Sequence, residues 1–192
     1  MTDRPNATLV PTAKPAAALM RGAALAFVGA LVLAASAKIQ VPFYPVPMTL
    51  QTLAVLTLGA LLGARLAAAT VALYLVEGLL GLPVFAGAVA GPGYMMGPTG
   101  GYLAGFLAAA ALVGWLAERG WTRGWALALA AMTLGHVLIF AGGFAWLTLL
   151  IGPAKAWTAG VVPFVAATLA KTLLAAALAL AAGRFAPWGR RG

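Results

Sequence analysis

The chain has 192 residues, of which 64% are apolar and 8% charged, with a formal net charge of +9 and no cysteine. A soluble domain carries about a quarter charged residues and under half apolar ones, so these values predict an all-α integral membrane protein without a sizeable soluble domain. They exclude disulfides and thiolate metal sites, and the acids Asp3, Glu77 and Glu118 are too few for a carboxylate-held metal or a paired-carboxylate hydrolase.

A helix needs about 20 apolar residues to cross the hydrocarbon core, and six candidate spans follow one another along the chain. A tail over 1–20 precedes the first, which lies between Arg21 and Lys38. Ala26 and Ala30 on this span are small residues at the spacing that lets helices approach closely. The Ala35-Ser36-Ala37 run that follows also resembles a signal-peptide cleavage site, but the five later spans argue against cleavage.

Between the first two spans stands VPFYPVPMTLQTL, Val41 to Leu53. Proline fixes φ and removes a backbone donor, so Pro42, Pro45 and Pro47 make this loop stiff and non-helical. Irregular backbone at membrane depth is tolerated only where protein or a water-filled cavity covers it. Phe43, Tyr44 and Pro45 therefore read as a rigid lid, with Thr49, Gln51 and Thr52 as the polar wall of a pocket beneath it. The competing reading is an ordinary interfacial turn anchored by Tyr44.

The second span, Thr49 to Ala64, and the third, Leu66 to Leu80, are short and form an expected hairpin that turns at Gly63-Ala64-Arg65. Glu77 ends the third span; pairing with Lys171, accepting a bond from a ligand and sitting at the interface all remain open for it. From Gly81 to Phe106 the chain reads GLPVFAGAVAGPGYMMGPTGGYLAGF, with eight glycines and three prolines. No Gly-Lys-Ser/Thr ending follows, which argues against phosphate binding. A small-molecule pocket wall is expected instead, with Phe85, Met95, Met96 and Tyr102 as apolar contacts. Thr99 is the expected N-cap of the fourth span, Thr99 to Ala117.

The fifth span occupies 124–151 and carries His136, expected to be a hydrogen-bonded packing residue. The sixth runs from about Val161 to Gly183 and contains Lys171, with Thr168 on the same face and Thr172 beside it. An ammonium near mid-membrane costs several kcal/mol. Lys171 lies about eight residues from the nearer helix end, beyond comfortable snorkelling reach. A ligand-facing or paired lysine is expected. The membrane domain is thus 21–185, and 186–192 is a basic tail.

The bases set the orientation. With both termini cytoplasmic, Arg4, Lys14, Arg21, Arg65, Arg119, Arg123, Arg184, Arg190 and Arg191 fall inside, and Lys38 and Lys155 outside. The proline loop 39–48, the glycine-rich loop 81–98 and a short loop expected at Pro153–Trp157 then face outward together. Bases scattered singly between apolar runs do not make a nucleic-acid surface.

PVPMTLQTL, GLPVFAG with GPTGGYLAGF, and the closing Pro163-Phe164…Lys171 segment together resemble the BioY family, over nearly all of the chain from Ala24 to Leu178. These are the biotin-specific substrate-binding (S) subunits of energy-coupling-factor (ECF) vitamin transporters. The resemblance implies six transmembrane helices, an outward-facing biotin pocket, a lid from the first loop, and residence in the cell's inner membrane. It also implies coupling to a transmembrane subunit and two ATPase subunits through small residues of the first helix, here Ala26 and Ala30. The site residues it suggests are Lys171, Thr168, Gln51, Tyr102, Thr99, Phe85, Met96 and Glu77, with Phe43, Tyr44 and Pro45 as lid. The family pattern PF-x-PGD-x-x-K places an aspartate where this chain has Thr168. No catalytic residue, metal or cofactor is expected: biotin would be the transported ligand, and any ATP hydrolysis would belong to the partners. Capture of another vitamin is the alternative within transport. A channel or membrane enzyme is disfavoured by the absence of charge rings and acid chains. Contact with membrane lipid is expected, and self-association is left open.

Overall fold

The computed structural model describes residues 15–183; the 186–192 tail and most of the 1–20 tail lie outside that range. The first helix, α1 (Pro15–Lys38), is longer than expected: it takes in 15–20, which the sequence reading assigned to the tail. Proline is tolerated at a helix start because its missing N–H would have no intrahelical partner there. α2 (Gln51–Leu62) and α3 (Ala64–Leu79) are separated by Gly63 alone, whose φ of 78° reverses the chain as expected. The glycine-rich segment holds a single helical turn, α4 (Pro92–Met95), before α5 (Gly100–Glu118). α6 (Trp125–Ile151) follows a 3-10 turn at Trp121–Arg123.

Two elements differ from expectation. The loop expected at Pro153–Trp157 is helical: α7 (Pro153–Gly160) starts with proline directly after Gly152, φ 83°, and a 3-10 turn leads from it to α8 (Val165–Gly183). The proline loop is not wholly irregular either. Its ends zip together as β1 (Gln40–Val41) and β2 (Met48–Thr49), antiparallel, with Gln40 opposite Thr49 and Val41 opposite Met48. The prolines at 42, 45 and 47 leave these four positions free to pair.

The fold is otherwise all-helical. Among the described residues, four helical stretches are long and apolar enough to cross a membrane: Ala16–Lys38, Gly100–Glu118, Trp125–Ile151 and the combined Pro153–Gly183. α2, with 12 residues, spans only about 18 Å at 1.5 Å per residue.

α5 is the central helix, packed against α2, α3 and α6. Its glycines let neighbouring backbones touch. A Cβ at Gly101 would meet the Gly142 carbonyl and the Trp146 Cβ, and one at Gly114 would meet the backbone of Gly63 and Ala64. At that end of the bundle Glu118 accepts a hydrogen bond from the Ala64 N–H, 2.9 Å, satisfying an open donor at the start of α3. Arg119 lies over the Trp115 ring at 3.5 Å.

α1 packs on α3, and here the structure corrects the sequence reading. Ala26 and Ala30, expected on a partner-docking face, are buried within the chain, and the neighbouring Gly29 sits directly against the Thr70 methyl. Small residues are needed there to let α1 approach α3. The outward side of α1 carries Phe27, Val28, Leu31 and Val32, all exposed.

Candidate functional site

Two adjacent cavities lie at the end of the bundle covered by the proline loop and the glycine-rich loop. The inner one is small, about 50 Å³. Its polar lining comes from Thr49, Gln51 and Thr52 at the start of α2, Thr99 ahead of α5, and Thr168 and Lys171 on α8. Tyr102, Phe106, Ile139, Phe140 and Phe164 supply its apolar walls. The outer one, about 420 Å³, lies between the two loops and is lined by Phe43, Pro45, Gly93 and Pro98 among others. Pro47, Ala86, Tyr94 and Thr99 border both and form the neck between them.

Lys171 is the chemical centre of the inner cavity. Its Nζ donates to the carbonyl of Thr49 at 2.6 Å, tying α8 to the base of the lid. Among the described residues no carboxylate lines its cavity: Glu77 lies outside both cavities. Next to it on α8, the Thr172 hydroxyl donates to the Thr168 carbonyl, 2.8 Å, and meets His136 Nδ1 at 3.0 Å. His136 is therefore a hydrogen-bonded packing residue, as expected.

Gln51 is buried and held from both sides. Its Nε2 donates to the Tyr74 hydroxyl at 2.6 Å, and its Oε1 accepts from Thr49 Oγ1 at 3.1 Å. Tyr102 is seated in a glycine slot: its ring lies against Gly143, and its hydroxyl donates to the Gly160 carbonyl at 2.7 Å. Thr52 lines the inner cavity, and its buried hydroxyl has no partner within the protein.

Several expected contacts are placed elsewhere. Phe85 is fully buried outside the inner cavity, resting on Gly78, edge-on to Tyr74 at 5.5 Å and stacked on Tyr94 at 4.9 Å. It supports the neck instead of forming a wall. Met96 is 70% exposed and lines neither of the two cavities, and Met95 packs against the core. Thr99 stands at the N-cap position of α5, but its backbone is helical and its side chain makes no cap bond. Of the lid residues, Phe43 and Pro45 line the outer cavity, while Tyr44 is 95% exposed and points away. Phe43 begins a series of ring contacts, Phe43–Phe164–Phe140–Tyr102, with centroids 6.1–6.2 Å apart, that runs from lid to inner wall.

Three residues went unnoticed in the sequence. Lys38 Nζ donates to the carbonyls of Phe85 and Gly87, 2.8 Å each, clasping the end of α1 to the glycine-rich loop. Tyr94 forms part of the neck; burial pushes its hydroxyl above the ordinary value, and a hydrogen bond with Thr99 offsets part of that. Tyr74 braces Gln51 and also donates to the Val84 carbonyl at 3.3 Å. A tyrosine in the middle of an otherwise apolar span was the signal for it.

Tyr74→Phe should keep the edge contact with Phe85 but leave the buried Gln51 amide without its acceptor. An unsatisfied buried donor costs about 1–3 kcal/mol, so a lowered thermal midpoint in detergent is expected. An unchanged midpoint would mean that Gln51 finds another partner.

The helical fold and its membrane-length helices define a multi-pass membrane protein, with a solute-sized chamber under two loops. The BioY family model matches residues 7–187, and the chain belongs to that family. It is 41% identical over 145 residues to the biotin transporter BioY of Thermotoga maritima, covering 75% of this chain and 85% of the relative. It is 36% identical over 143 residues to the probable biotin transporter BioY of Pyrococcus horikoshii, covering 74% and 84%. Its fold matches the crystal structure of the S-component for biotin from an ECF-type ABC transporter with a TM-score of 0.78 at 23% identity, over 88% of this chain and 94% of that one.

Proposed function

We propose that this protein captures biotin at the outer face of the cell's inner membrane, as the substrate-specific subunit of an ECF-type vitamin transporter. It is not an enzyme. The observation that carries this reading is a lysine-bearing pocket beneath two loops in a chain whose relatives are biotin transporters over most of their length. Lys171, Thr168, Thr52 and Gln51 are suited to the polar groups of the ligand, with Tyr102, Phe140 and Phe164 as apolar contacts. Phe43 and Pro45 act as lid. A coupling transmembrane subunit and two ATPases would supply the energy. With Ala26 and Ala30 packed against α3, the docking surface for such a partner would be the outward side of α1 or another exposed face.

The same reading assigns six spans with both termini cytoplasmic. It places α2 and α3 as short spans, with the lid filling the thickness that α2 leaves open. Glu118, Arg119 and Arg123 end the bundle opposite the cavities, which agrees with the positive-inside rule. A reporter fused within 119–123 should read cytoplasmic and one near Lys155 external; a cytoplasmic signal at Lys155 would overturn the orientation. The direct test of function is titration of the purified full chain with biotin. Saturable binding without nucleotide or other subunits is expected, and absence of binding would remove biotin as the ligand.

A further inference from the structure

We infer that the outer cavity is a subsite for whatever is attached to the carboxylate end of the ligand, so that the protein also takes biotin joined through an amide to an amine. This inference rests on the biotin reading of the site and deepens it.

Ligand sites are generally about 300–1,000 Å³. The inner cavity, about 50 Å³, falls far below that range, while the outer one, about 420 Å³, falls within it. A vitamin-sized ligand must therefore straddle the neck formed by Pro47, Ala86, Tyr94 and Thr99, with one end inside and the other between the loops.

The chemistry of the two chambers says which end goes where. The inner one is lined by a mixed set: Lys171, whose ammonium donates, and Thr52 and Thr168, whose hydroxyls donate or accept. A cyclic urea presents both a carbonyl and N–H groups, and it needs such a mixed set. A carboxylate only accepts.

The outer chamber has no charged residue in its lining. Lys38, at the glycine-rich loop, is already engaged by two carbonyls. What the chamber offers is Pro42, Phe43, Pro45 and Pro47, apolar surface matched to a methylene tail, and exposed Gly87, Ala88 and Gly93 at its mouth. A carboxylate reaching that mouth stays hydrated, so the site has no group that requires its charge. The polar residues of that lining, Gln40, Tyr94 and Thr99, are neutral, so replacing the carboxylate by an amide removes no ion pair, and the added amine finds open space.

The test uses the purified full-length protein, titrated with biotin and with biotinyl-lysine, in which the carboxylate is an amide. Gly93 lines the outer chamber, and a Cβ built on it meets nothing within 4 Å. Gly93→Trp should therefore fill the chamber mouth from a position that tolerates a side chain. The parent protein should bind both ligands within about tenfold of each other. Gly93→Trp should weaken the conjugate by at least about tenfold more than it weakens biotin, because the carboxylate of biotin ends at the mouth while the conjugate continues through it. Ala88→Trp, on the other side of the chamber, should act the same way if the first variant folds poorly, as judged by its thermal midpoint. Binding of biotin with rejection of the conjugate by more than about a hundredfold would overturn the inference, since the carboxylate would then be recognised inside. Equal loss of both ligands in the variants, or loss of neither, would also overturn it. Failure of the parent to bind either ligand would instead refute the biotin reading itself.

Discussion

Lys171→Met is expected to weaken biotin binding by about ten- to hundredfold, measured by titration of the purified protein. The ammonium lies in a half-buried position with a carbonyl as its partner, and among the described residues no carboxylate lines its cavity. A ligand carbonyl reaching the inner cavity would add a second charge-assisted hydrogen bond to the one made with Thr49. Such bonds contribute about 1.5–3 kcal/mol, and about 1.4 kcal/mol corresponds to each decade of affinity. Methionine keeps the length and apolarity of the side chain, so the fold should survive. The bond from Nζ to the Thr49 carbonyl would also be lost, releasing β2 from α8. Lid opening should therefore become easier as the ligand is held less tightly, and faster ligand release is the expected kinetic form of the change. Thr168→Asp, one turn away on the same face, should tighten binding by placing a carboxylate beside the ammonium. A Lys171→Met protein that binds biotin as tightly as its parent would make the lysine a strut for the lid and nothing more.

Gly101→Leu is expected to prevent folding, seen as loss of monodisperse protein on extraction and of any cooperative thermal transition. The first added atom would already meet the Gly142 carbonyl and the Trp146 Cβ, and a Cβ on Gly142 would in turn crowd the Gly101 carbonyl at 2.8 Å. These neighbours are backbone and a helix-fixed Cβ, so no side-chain rotation relieves the clash. Overpacking a core commonly costs about 1–3 kcal/mol. Here α5 must move off α6, and α5 is also the helix on which α2 and α3 pack. The cost should therefore lie at or above the upper end of that range. Gly93→Trp, by contrast, adds a larger side chain at a position with open space and should fold. The pair separates glycines required by helix contact from glycines that merely shape a loop.

Much of the architecture was legible in the sequence because the signals were local. Apolar runs between single charges marked the helices, and Gly63 marked the reversal between α2 and α3. The helix at Pro153–Gly160 and the β1–β2 pairing were not legible. Proline and glycine mark a break in the chain but do not say what lies on either side of it. In the site, Lys171, Gln51 and Tyr102 could be picked out because each places a polar group in an apolar span, where it must find a partner. Tyr74 carried the same signal.

The placement of Phe85, Met96, Glu77, Ala26 and Ala30 was decided only in three dimensions. Phe85 is in the core because Gly78, seven residues earlier, leaves a place for its ring, and Tyr94 covers its other face. Met96 is outside because the turn of α4 directs it away from both cavities. Ala26 and Ala30 had the right size for a helix contact, but the sequence could not say whether the contacting helix was α3 or another protein. Residue type and spacing establish that a side chain needs a partner or permits a close approach. Which partner it meets depends on the rotation of each helix about its axis and on segments distant in the chain, and these are set by the packing of the whole bundle.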